Sequence, residues 1–352
     1  MKKSILIAVI AFNILTACKN ENKDKINQTK ENTNVSKELN LYTHRHYPTD
    51  QELFAQFEKE SGITINVVNA SADELIQKMT LEGSESPADV LITVDAGRLV
   101  RASNSGLLQS ISSTVLDSII PSHLRDENGQ WFGLTKRARV IAYAKDRVKP
   151  EDLSTYENLA NDRWKDKILV RSSGNIYNQS LMASLIANNG EEVAKSWASK
   201  VVENMARSPK GNDRDQVKAV VAGEGDLAIV NTYYIGKLLN SKKPEEVKAG
   251  NGVGIFFPNQ EGRGAHVNIS GAGVAKYAPN KENAVKFIEF LASNKAQEVF
   301  GKANYEYPVN PNVEPSELLK SWGTFKEDNL PLSALGNNNK NAVLVFDTVG
   351  WK

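Results

Sequence analysis

Tyr233 and Tyr234 stand side by side where an apolar run, 227–230, gives way to the helix-like stretch 235–239. Neighbouring residues cannot share one face of a strand or a helix, and no turn requires a phenol. Two other places look alike. His46 and Tyr47 follow an apolar alternating stretch at 38–42, and Tyr177 follows another apolar run at 167–170. A phenolate is a hard, anionic oxygen donor suited to a hard trivalent cation such as Fe(III), and tyrosine is an established iron ligand in haem proteins. A free phenol titrates at about 10, so only a strong Lewis acid removes its proton at neutral pH. Softer ions favour thiolates or several imidazoles, whereas this chain has one cysteine and four histidines, His44, His46, His123 and His266. Taken singly, a phenol reads more readily as a half-buried aromatic whose hydroxyl is satisfied within the fold, and only for the adjacent pair are the two readings balanced. Only the constellation points to a metal.

Turns of this kind presuppose strands that end at them. Alternating or continuous apolar runs predict strands at 38–42, 63–68, 89–94, 140–144, 167–170, 227–230 and 252–257. Helical spacing fills the gaps: Leu53, Phe54 and Phe57 behind a capping-box spacing at Thr49 to Glu52, and Leu75, Ile76 and Met79 behind another at Ser71 to Glu74. Further helices are expected at about 176–188, up to Gly223, and after Asn280, where Ala284, Phe287, Ile288 and Leu291 form one apolar face. Strands alternating with helices imply an α/β fold with a parallel sheet. All three phenol turns then lie at carboxyl ends of strands, the edge at which open parallel sheets bind ligands.

The chain opens Met-Lys-Lys, continues with an apolar stretch at 5–15 and reaches Leu15-Thr16-Ala17-Cys18. A basic start, a short apolar run and small residues before a cut site describe an export signal over 1–17, too short to span a bilayer. Cys18 in that setting resembles the lipobox cysteine of bacterial lipoproteins, and 18–37 reads as a lipidated, disordered tether. The expected location is therefore extracytoplasmic: the periplasm or the outer face of the cytoplasmic membrane, held by lipid. Removing the first 17 residues leaves 335 and, with Lys2 and Lys3 gone, takes the formal net charge from +1 to −1. A near-neutral chain lacks the basic footprint that nucleic acid requires.

Four segments, YTHRHYPTD (42–50), KRARVIAYAKDRV (136–148), SSGNIYNQSL (172–181) and NTYYIGKL (231–238), resemble the periplasmic ferric-iron-binding proteins of bacterial ABC uptake systems. The resemblance covers nearly all of the chain from residue 38. It implies that Tyr47, Tyr177, Tyr233 and Tyr234 bind Fe(III), with His46 as a fifth ligand, in a tyrosine-rich, histidine-containing branch. It also implies a two-lobed clamshell substrate-binding fold of type II, hinged by crossover strands. The first lobe would span 38–136 with about 268–315 returning to it, and the second 137–267 with part of 316–352 packed on it. A monomer delivering its ion to an ABC transporter permease is the implied partnership. Pro48 and His44 depart from what the motif leads one to expect; His44 is expected to be exposed. Four phenolates against Fe(III) leave one net negative charge, which Arg45, Arg137, Arg139 and Arg171 could offset. Arg139 or Arg171 would alternatively hold a carbonate companion anion, although four phenolates leave it little room. The rival reading keeps the clamshell and changes the cargo to a phosphonate, thiamine, a polyamine or a sugar. No G-x-S-x-G, H-E-x-x-H or P-loop spacing occurs, so an enzyme is not expected.

Overall fold

The computed structural model describes residues 36–45 and 47–352. The expected export segment, Cys18, the tether as far as residue 35, and His46 lie outside the described residues. The described strands are β1 Glu38–Thr43, β2 Thr64–Asn69, β3 Val90–Val94, β4 Phe132–Ala144, β5 Ile168–Leu169, β6 Leu227–Asn231, β7 Val253–Phe256, β8 Val267–Val274 and β9 Tyr307–Pro308. Their order is β2-β1-β3-β8-β4-β6-β5, with β7 and β9 also paired to β4.

β2, β1 and β3 run parallel, as the strand–helix alternation predicts. β8 then joins antiparallel to both β3 and β4. The first sheet is thus mixed, which corrects the expectation of a purely parallel one. β8 lies between β3 and the first half of β4 and runs against both. Phe132 to Ala138 of β4 pairs with β8, whereas Arg139 to Tyr143 pairs with β6. One continuous strand therefore changes partners between Ala138 and Arg139. Only its second half reads as a strand in the sequence, because Thr135, Lys136 and Arg137 look like surface residues. Arg137 and Arg139 are in fact 1% exposed. Gly271 of β8 lets the layers close up, since a Cβ there would stand 2.6 Å from the Phe132 carbonyl oxygen.

Local capping follows one expectation and corrects two. Ser71 accepts from the Glu74 N–H while the Glu74 carboxylate accepts from the Ser71 N–H, so the helix Ala72–Glu82 starts on a true capping box. The helix Pro48–Ser61 begins earlier than Thr49 suggests, with Tyr47 as N-cap. Pro48 supplies a preset helical φ and lacks the N–H that would go unsatisfied there, and Asp50 accepts from the Tyr47 N–H at 3.3 Å. Asn280 precedes the helix Lys281–Ala292, but its side chain does not cap it; its amide donates to Asp89 at 3.0 Å instead.

One core surrounds the first sheet and continues beneath the helices Asp213–Val221, Thr232–Leu239 and Pro244–Gly252. A second lies under Ile176–Asn189, Glu191–Glu203 and Asn339–Val349, built on Leu181, Met182, Trp197, Val345 and Phe346. The short helix Ser333–Asn337 packs on both Ala96–Asn104 and Ile176–Asn189. Among the described residues no helix is long and apolar enough to cross a membrane.

Candidate metal centre

Three strand ends deliver the phenols. Tyr47 follows β1 as the N-cap of Pro48–Ser61, held extended at φ −78° and ψ 146°, the conformation a following proline imposes. Tyr177 lies in the first turn of Ile176–Asn189, where the Asn175 side chain accepts its N–H at 3.2 Å. Tyr233 and Tyr234 lie in the first turn of Thr232–Leu239, directly after β6. Each phenol thus starts or adjoins a helix N-terminus, whose dipole favours negative charge.

Tyr177, Tyr233 and Tyr234 come together. Tyr233 Oη donates to Tyr177 Oη at 3.2 Å, and the Tyr233 and Tyr234 rings lie 4.2 Å apart between centroids, tilted by 32°. Tyr47 reaches them from the end of β1. Lys237 Nζ stands 4.0 Å from the Tyr47 ring centroid and 5.1 Å from that of Tyr233, so one ammonium lies against both rings. Tyr233 is fully buried, and the other three are partly exposed.

Burial pushes the Tyr47 phenol above its ordinary range; Glu306 adds to that, and Arg45 pulls the other way. Tyr233 is raised well above its usual value by burial first, then by Tyr177, Tyr234 and Tyr47. Tyr234 is raised by burial, then by Tyr177 and Asp213. Each of the three shifts thus includes repulsion from other phenols of the cluster. Tyr47, Tyr233 and Tyr234 are neutral at neutral pH without a cation to hold them, and a single strongly charged cation beside them outweighs those repulsions.

The surroundings are charged and mostly paired. Glu306, 1% exposed, accepts from Arg45 Nη1 at 3.2 Å and Arg137 Nη2 at 2.8 Å. Burial alone would raise its carboxyl, yet Arg45 and Arg137 hold it at about 2. Asp50 takes the other side of Arg45 at 2.9 Å. In the second lobe Asp213, fully buried, joins Arg139 at 2.5 Å and Arg171 at 2.7 Å. Burial lowers the Lys237 ammonium to about 8. Five cations thus face three carboxylates, an excess of two positive charges beside phenols that carry none until ionised. Arg137 Nε and Nη1 are buried without a partner among the described residues, and its charge is felt at both Tyr47 and Tyr233.

The four sequence-predicted tyrosines therefore share one neighbourhood. Arg45, Arg137, Arg139 and Arg171 line it as foreseen, each now with a named partner. His44 is half-buried rather than exposed, its N–H donating to the Ile92 carbonyl behind the turn. Glu306, Asp213 and Lys237 escape sequence reasoning. Lys237 lies inside the NTYYIGKL segment and could have been weighed there, whereas nothing local marks Glu306 or Asp213. Among the described residues no three His, Cys, Asp or Glu side chains gather as a metal site, so the phenol oxygens are the concentrated donors.

A family profile described as bacterial extracellular solute-binding protein matches residues 42–298. Iron uptake protein A1 of Synechocystis sp. is 52% identical over 315 residues, covering 90% of this chain and 88% of its own. A Trichodesmium protein solved in complex with iron and citrate ligands superposes with a TM-score of 0.87 at 52% identity, covering 90% of this chain and all of its own. The ferric binding protein from Campylobacter jejuni gives 0.85 at 48%, covering 89% of this chain and all of its own. These neighbours are two-lobed binding proteins, and the same architecture holds here.

Proposed function

The chain belongs to the bacterial extracellular solute-binding proteins, a family of carriers rather than enzymes, and from that premise we propose that it captures Fe(III) between its lobes for an ABC uptake system. Tyr47, Tyr177, Tyr233 and Tyr234 supply four phenolates, and His46 a fifth donor from the residue before Tyr47. The iron-binding names of the relatives support this cargo. The observation that carries it is the meeting of phenols: Tyr233 Oη against Tyr177 Oη at 3.2 Å, with Tyr47 from the other lobe close enough to share an ammonium with Tyr233.

Charge accounts for the choice of ion. Four phenolates around Fe(III) leave one negative charge, and the excess of two positive charges in the surrounding shell covers it. A divalent ion gains less from each phenolate and must still displace the same four protons. Arg139 and Arg171 already clasp Asp213, which favours a site without a carbonate companion. An organic cargo would favour tryptophans in the cleft, yet Trp131, Trp164, Trp197 and Trp351 are buried and Trp322 is half-buried against the first core. Lipid on Cys18 would keep the carrier at the membrane, and lobe closure on the ion would give the permease a shape distinct from the empty one.

The test is the visible spectrum of the purified chain before and after adding ferric citrate. A phenolate-to-iron charge-transfer band should appear, and Tyr233→Phe with Tyr234→Phe should abolish both the band and tight binding. A colourless mixture, or a double variant that binds as the parent does, ends the proposal.

A further inference from the structure

Outside the phenol cluster, one buried carboxylate joins the lobes without serving the ion. Asp95 follows β3 in the first lobe, is fully buried and forms no salt bridge among the described residues. Its Oδ1 accepts from the Gly97 N–H at 2.9 Å, and its Oδ2 from the Asn268 amide of β8 at 2.9 Å. Asn268 Oδ1 in turn accepts from the Ala96 N–H at 2.8 Å. These bonds lock the carboxylate within the first lobe. The remaining donor comes from elsewhere: Ser180 Oγ stands 2.8 Å from both carboxylate oxygens. Ser180 belongs to the helix Ile176–Asn189, whose neighbouring residues Leu181 and Met182 pack in the second core. The same helix carries Tyr177 in its first turn. Asp95 also sits at φ 81°, a conformation that costs a non-glycine residue energy and persists only where surrounding contacts impose it.

We propose that the Ser180–Asp95 hydrogen bond is a latch that holds the two lobes closed, making Ser180 and Asp95 positioning residues for iron retention though neither touches the ion. The reading rests on the ferric cargo proposed above. A buried carboxylate is costly when short of donors, so separating Ser180 from it must admit water or leave a lone pair unsatisfied. Closure thus gains a charge-assisted hydrogen bond that depends on the distance between lobes. Because Ser180 and Tyr177 ride one helix, the latch also fixes where Tyr177 stands relative to the first lobe.

The experiment uses the full chain, its Ser180→Ala and Asp95→Asn variants, and the double variant. Each is loaded with ferric citrate, and loss of the charge-transfer band to a competing chelator is timed. Ser180→Ala should release iron on the order of tenfold faster, the loss expected for one hydrogen bond to a charged group. Its band position should not move, since the ligands are intact, and its far-ultraviolet circular dichroism should match the parent's. The double variant should release no faster than the faster single one, because both remove the same contact. Unchanged release from Ser180→Ala, additive effects in the double variant, or a shifted band in Ser180→Ala would each overturn the latch. A parent that never colours would sink the ferric reading instead; small-angle scattering of metal-free parent and Ser180→Ala then decides the latch alone. Expansion of the variant supports it, and superimposable profiles overturn it.

Discussion

Replacing Glu306 by Gln keeps the shape and removes the charge on which two buried arginines converge. The Glu306 carboxyl is held at about 2 against an ordinary 4.5. That difference corresponds to about 3 kcal/mol of folded-state preference for the anion. The group is depressed on folding, so this stability is fully present above the unfolded value and is lost as pH falls from there through about 2. At neutral pH Glu306→Gln should therefore melt lower by roughly 6 °C, taking about 2 °C per kcal/mol for a chain of this size. The deficit should shrink as both proteins are acidified below about 4.5, where the parent's carboxyl starts to protonate in the unfolded state. Iron should respond in the opposite sense. The Glu306 charge raises the Tyr47 phenol, so its removal favours the phenolate, and the loaded variant should keep its iron to lower pH than the parent. Melting followed by circular dichroism across pH reads the first effect, and the charge-transfer band during acid titration reads the second. A variant that melts with the parent at neutral pH, or that releases iron at higher pH, would refute the charge argument for this cluster.

Acid should strip the ion from the parent well before the fold is lost, because burial already makes these phenols reluctant to ionise and protons compete for them; a band unaltered down to about pH 4 would contradict the phenolate shell. Lys237→Met removes the ammonium 4.0 Å from the Tyr47 ring centroid, so the acid-release midpoint should move upward, and an unmoved midpoint would show the ammonium to be irrelevant. Gly236→Ala places a Cβ 2.6 Å from Tyr305 Cβ, where the first lobe meets the helix carrying Tyr233 and Tyr234. Alanine favours that helix by about 1 kcal/mol, which offsets only part of the clash, so iron release should quicken; release as slow as the parent's would dismiss the contact as a determinant of iron retention.

Much of this was legible beforehand because it is written locally. An alternating apolar run marks β1 and continuous ones mark β3 and β6, and a glycine or a cap bounds the helices that follow. Phenols placed just past those strand ends must emerge at the ligand edge of the sheet. The capping box at Ser71 involves residues three apart and needs no tertiary contact. By contrast, β4 hid its first half, since Arg137 and Arg139 look solvated until Glu306 and Asp213 are seen to neutralise them. Asn280 had the right type for a cap, but Asp89, 191 residues away in sequence, claims its side chain. The mixed first sheet was equally hidden, because strand direction in β8 depends on where the returning chain re-enters the fold.

Residue order alone therefore established which elements form, where the tyrosines sit upon them and that their chemistry suits a hard cation. Three-dimensional packing alone decided that Tyr177 and Tyr233 meet oxygen to oxygen, which carboxylates balance which arginines, and that Ser180 of one lobe answers Asp95 of the other. The physical reason is range. Backbone periodicity and capping act over a few residues and leave their mark in every short window. The buried charges of Arg137 and Arg139, in contrast, are stable only beside Glu306 and Asp213, and no short window contains both members of either pair.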